Sequence, residues 1–176
     1  MRELLPPLLT AALYAVLGFH FWSTTWRGAS QTTGALRKAP QWALLLPLSL
    51  HGVLLYGSTF TPNGLDFGIG NAISAIAWLT VATYWLVNLR HNMAGMLSLV
   101  LPLAVFGVLL PSLFPSTHAL PHSSLPLFKV HLAISMLAYS LLSFAALHAG
   151  LMALVERRLH ARSSLSPMAG LPPLLT

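Results

Sequence analysis

The sequence predicts an all-α fold, a polytopic transmembrane helix bundle of about five spans with its N-terminus outside. Three observations lead there. First, only 7% of the 176 residues are charged, against 56% hydrophobic. A soluble domain carries roughly 25% charged residues, so the surface has to meet lipid instead of water. Second, apolar runs of membrane length recur along the chain. Third, the basic residues fall in alternate connections between those runs, as they do where cytoplasmic loops face anionic lipid.

The first run, residues 4–22, carries Pro6 and Pro7 in its opening turn, where a missing N–H costs little. Its start has Arg2 and Glu3 and no small-residue cleavage pattern, so it reads as an uncleaved span. The second run, residues 41–60, contains Pro47 and His51. The third, residues 69–89, opens on Gly70, Asn71 and Ser74 and ends near Trp85. The fourth, residues 96–114, is dense in Leu and Val around Pro102. The fifth, residues 127–155, is the longest. None of the runs has the period-two alternation of a membrane barrel, which leaves helices as the spanning form.

The connections set the orientation. Arg27, Arg37 and Lys38 follow the first run, Arg90 and His91 the third, and Arg157, Arg158 and Arg162 the fifth. These belong on the cytoplasmic side. The loops at residues 61–67 and 115–126 carry only Asp66 between them and face outward. Trp22, Trp26, Trp42 and Trp85 lie near run ends, as an interfacial belt would. Residues 1–162 form the transmembrane domain. Residues 163–176 form a Ser/Pro/Gly/Leu linker toward expected further C-terminal helices.

Composition excludes several functions. The net charge of +6 and pI near 10.6 come from clusters in loops, not from a basic face, so no nucleic acid is expected as a partner. The chain has no cysteine. Thiolate metal sites, cysteine nucleophiles and covalent haem attachment are therefore out. Gly68 and Gly70 lack the third glycine and the strand of a nucleotide loop. Three carboxylates at different membrane levels give no acid/base pair, so no catalytic residue is assigned.

The informative imbalance is eight histidines against three carboxylates, because ionisable residues within a membrane are functional candidates. His91 and His160 lie among arginines in cytoplasmic connections, and His20 lies near the inner end of the first span. His118 and His122 have the spacing of a helical metal clamp, but Pro121 between them breaks a helix. His51 and His131 stand apart. His51 is near the middle of the second span, and His131 is about one turn inside the outer end of the fifth. His131, Ser135 and Tyr139 advance by four, a polar stripe expected to face protein or a cavity. Each histidine has two readings: a hydrogen bond to a neighbouring helix, or an axial ligand to haem in a bundle interior. His148 lies about 25 Å further along the helix from His131, too far to share one iron.

The stretch His131-Leu-Ala-Ile-Ser-Met-Leu-Ala-Tyr139 resembles the histidine-bearing helix of the cytochrome c assembly family, which includes CcsA-, CcmC- and HemX-like proteins. The outer-loop length, the basic exit Glu156-Arg157-Arg158 and the segment Leu171-Pro172-Pro173-Leu174-Leu175 look most like its YpjD-type inner membrane proteins. Ser49-Leu50-His51 and Gly70-Asn71-Ala72-Ile73-Ser74 fit the same group. The resemblance is close over the fifth run and loose over most of the chain. It implies a multi-pass protein of the bacterial inner membrane that holds and passes on haem b, with His131 as an outward-side ligand and His51 as a mid-membrane one. It also implies further spans and membrane partners of cytochrome assembly. The family's tryptophan-rich motif would lie beyond Thr176. Two alternatives stay open: an accessory subunit of a divalent-cation transport system, and a structural membrane subunit without ligand.

Overall fold

Leucine-rich runs punctuated by proline, glycine and basic residues become, among the described residues, five α-helices of at least 15 residues in the computed structural model of the chain. The structure describes residues 4–26, 42–61, 64–91, 93–115 and 125–164. The helices are α1 (Leu5–Trp26), α2 (Leu45–Thr59), α3 (Ile69–Asn88), α4 (Leu97–Leu113) and α5 (Pro126–Ser164). A two-residue hairpin, β1 (Phe60–Thr61) with β2 (Gly64–Leu65), joins α2 to α3, and a 3₁₀ turn (Ala94–Met96) leads into α4. The expected all-helical bundle is what forms.

Among the described residues three helices, α1, α3 and α5, are long and apolar enough to cross a membrane. α4 has 17 residues and α2 has 15, about 25 and 22 Å against a hydrocarbon core of about 30 Å. The 3₁₀ turn lengthens the α4 unit. α2 falls short of the expected run for a local reason. Pro47 has no N–H for the carbonyl of Ala43 and its ring crowds that carbonyl, so the helical residues 42–43 are separated from α2 by a turn at Leu44. α5 instead outruns residues 127–155 to reach Ser164. Polar helix formers continue it, and the His160 imidazole Nδ1 donates to the Glu156 carbonyl at 3.0 Å.

Without a hydrophobic force between helices in lipid, packing depends on small residues and interhelical hydrogen bonds. The α3–α4 seam follows that rule. A Cβ on Gly107 would sit 2.5 Å from the Ala77 Cβ, and one on Gly70 would sit 2.9 Å from the Leu110 carbonyl oxygen. α4 lies between α1 and α3, α2 bridges those two, and α5 leans on α3. The core gathers Tyr14, Leu48, Val81, Tyr84, Met96 and Leu101, with Phe144, Leu147 and Leu151 of α5 packed on its edge. Connections are held by single side chains. Asn88 Oδ1 accepts from the Met93 N–H at 2.9 Å in the short α3–α4 link. Gly64, at φ 119°, takes the left-handed conformation that the β1–β2 turn requires.

Candidate functional site

α3 carries most of the polar organisation. Its buried face reads Gly70, Asn71, Ser74, Ala77, Val81 and Tyr84, the i, i+3, i+4 spacing that lines one side of a helix. Near its start, Asn71 works as a three-way tie. Its Nδ2 donates to the Ser58 carbonyl at 3.1 Å and to the Asp66 carbonyl at 2.9 Å, while its Oδ1 accepts from Ser58 Oγ at 2.9 Å. This fastens the end of α2 and the hairpin to the start of α3. One turn deeper, Ser74 meets His51. Another turn on, Trp78 Nε1 donates to the Leu48 carbonyl at 2.8 Å. Gly52 leaves room for that indole: a Cβ there would lie 3.1 Å from Trp78 Nε1.

His51 is wholly buried. Its Nε2 lies 3.0 Å from Ser74 Oγ, and its Nδ1 lies 3.5 Å from Tyr14 Oη. The Tyr14 ring stands edge-on to the imidazole with centroids 5.8 Å apart. A neutral imidazole offers one donor and one acceptor, and both hydroxyls can serve either role. The trio Tyr14–His51–Ser74 therefore satisfies itself in either tautomer and stitches α1, α2 and α3 together. Against it lies a cavity of about 450 Å³ lined by Pro7, Ser58, Val108 and Ser112 among others. In this arrangement neither ring nitrogen presents a free lone pair. Ligating a metal would require His51 to give up its bond to Ser74 or to Tyr14.

His131 is placed differently. The face of α5 turned to the bundle carries Leu132, Met136 and Ser140, the last fully buried. Its carbonyl lies 3.4 Å from Thr80 Oγ1. His131 and Tyr139 are exposed and Ser135 is half-buried, so most of the polar stripe expected to face protein turns away from the other described helices. The physical reason is register: Leu132, Met136 and Ser140 advance by four, one position out of phase with the stripe. The structure does not bring His131 and His51 into one site. The His131 ring has no hydrogen-bond partner among the described residues. His148 is half-buried and His20, His91 and His160 are exposed, while His118 and His122 lie outside the described residues. Among the described residues, no group of three His, Asp or Glu side chains could hold a metal ion.

Sequence reasoning missed Tyr14, Asn71 and Trp78 as partners. Only Asn71, Ser74 and Trp78 left a signal, as polar positions on one face of the third span. Tyr14, alone among apolar neighbours, left none. No protein-family model matches this chain, and neither does any curated protein or solved structure.

Proposed function

We propose that the chain is the five-span membrane domain of a haem-handling protein of the bacterial inner membrane, with its N-terminus outside. α2 and α4 join the three longer helices as spans in this reading, because the basic connections alternate at every loop. His131 is the outward-side axial ligand. The observation that carries the proposal is the position of His131: an exposed imidazole without a partner among the described residues, near the start of α5, on a face the other described helices leave uncovered. Neutral imidazole is a common axial donor to haem iron. A ring held outside the bundle is free to rotate toward an iron whose other ligand comes from a partner or a further helix. The resemblance of the 131–139 stretch supports the same choice. The role would be to hold, shield and pass on haem b, with the chain supplying ligation and access.

A second reading has its own support for His51. With both ring nitrogens engaged by Ser74 and Tyr14, this histidine fits a packing role better than a mid-membrane ligand. A structural subunit without ligand would use His51 in the same way. An accessory subunit for divalent cations would require a donor cluster on this face.

The experiment is a spectrum. Protein extracted from membranes should show a Soret band with the reduced bands of six-coordinate haem, and His131→Ala should lose or shift them, with partial recovery on adding imidazole. Stoichiometric zinc, nickel or cobalt without iron would favour the transport reading. Tags at the N-terminus and in residues 115–126 should both report outside.

A further inference from the structure

The cleft of about 450 Å³ beside His51 is lined from four helices at once: Pro7 of α1, Leu54 and Ser58 of α2, Ser74 of α3, and Val108 and Ser112 of α4. These residues belong to one end of the bundle. Pro7 lies in the first turn of α1. Leu54, Ser74 and Val108 each stand five residues from the end of α2, the start of α3 and the end of α4, about 7 Å in depth. The last turn of α4 reaches the start of α3 there, with the Leu110 carbonyl oxygen 2.9 Å from where a Gly70 Cβ would sit.

The wall of this cleft sets it apart. The grooves between α2, α3 and α5 and between α1 and α4 present almost wholly apolar surfaces, whereas polar atoms make up a substantial part of the surface inside this one. Ser58 and Ser112 are half-buried along it. Ser58 Oγ donates to Asn71 Oδ1 at 2.9 Å, but the Ser112 hydroxyl has no hydrogen-bond partner among the described residues. Apolar cavities stay dry, while a polar one with about 30 Å³ for each water is hydrated. The deep end is shut. Ser74 and His51 are 1% and 0% exposed and bonded to each other at 3.0 Å. One turn beyond, the bond from Trp78 Nε1 to the Leu48 carbonyl continues the packing.

We infer that this cleft is a water-filled vestibule of the inserted bundle, closed by the Ser74–His51 bond, which small hydrophilic molecules enter to the level of Leu54 and no further. An unmatched hydroxyl in hydrocarbon is costly, and water entering from the helix ends relieves that cost at Ser112. An acyl chain would fill the same space and leave it unrelieved. The inference rests on α1–α4 being spans and not on haem.

The chain has no cysteine, so single cysteines report without background. The whole chain is kept in open membrane fragments, which a reagent reaches from both sides. Each variant is treated with a permanently charged methanethiosulfonate and, separately, with a lipid-soluble maleimide. Thiols react as thiolates, and apolar surroundings raise the thiol pKa. Leu54→Cys and Ser112→Cys should therefore react with the charged reagent at least about tenfold faster than Ile73→Cys. Ile73 is at the same level of α3, 39% exposed and outside the cleft. Leu48→Cys, one turn beyond His51, should stay unreactive. Ser112→Cys, the closest isostere, keeps the test alive if Leu54→Cys fails to reach the membrane fraction. The inference is overturned if the cleft cysteines react only with the maleimide, which would give the space to an acyl chain. Reaction of Leu48→Cys with the charged reagent would overturn it too, by making the cleft a through passage. Equally fast reaction at Ile73→Cys would instead place this end of the bundle outside the membrane, and the span reading would fall with the inference.

Discussion

Removing the Ser74 hydroxyl isolates the shortest polar contact of the buried trio. Hydrogen bonds between membrane helices average about 0.6 kcal/mol and reach about 1.7 kcal/mol. The His51–Ser74 pair, at 3.0 Å with both residues at or below 1% exposure, belongs near the upper value. The Tyr14–His51 pair, at 3.5 Å, sits at the limit of hydrogen-bond length and belongs at or below the average. Ser74→Ala should therefore destabilise the bundle by about 1–1.7 kcal/mol and Tyr14→Phe by about 0.6 kcal/mol or less. His51→Ala should cost more than the two together, because it strands both hydroxyls and opens a void. The assay is reversible unfolding in mixed micelles, read as two double-mutant cycles, His51 with Ser74 and His51 with Tyr14. A coupling energy near zero for His51 with Ser74, or one smaller than that for Tyr14, would refute the trio as the tie between α1, α2 and α3. The same variant bears on haem. If His51 is a ligand, Ser74→Ala frees its Nε2 and should strengthen haem binding; if His51 only packs, the spectrum should not change.

Gly107→Ala places a methyl 2.5 Å from the Ala77 Cβ and should cost about 1–3 kcal/mol by overpacking, seen as a lower thermal midpoint in detergent. Asn71→Ala breaks three bonds at once and should loosen the C-terminal end of α2. Faster amide exchange at Phe60 and Leu65, with the C-terminal half of α3 unchanged, would show it. On the haem reading, His131→Ala should lose or shift the spectrum while His148→Ala, about 25 Å along the same helix, leaves it intact; the reverse outcome would move the ligand toward the C-terminal end of α5.

The helical class was legible because it depends on summed hydrophobicity, which needs no partner information. α3 matched its run almost residue for residue, since Gly68 starts it and Arg90 with His91 ends it. α5 exceeded its run because hydropathy falls at Glu156 whereas helix propensity does not. The candidate site was legible only in half. A histidine amid leucines at position 51 declares itself as a buried polar group that must be matched, but which hydroxyls match it depends on how α1 and α3 rotate against α2. For His131 the four-residue spacing set three polar residues on one side of α5, while the side that would be buried was decided by Leu132, Met136 and Ser140. Periodicity gives the existence of a face. It does not say what the face meets.

α5 runs unbroken for 39 residues, about 58 Å, nearly twice the hydrocarbon thickness, yet only 6% of its membrane-length window is buried. It is thus a rod pinned along one narrow line. A tilt of about 10° about its contact with α3 would swing one end past the other by about 10 Å while disturbing few packed side chains. His131 near one end and Glu156, Arg157 and His160 near the other would then move as a single lever, linking the two faces of the membrane mechanically.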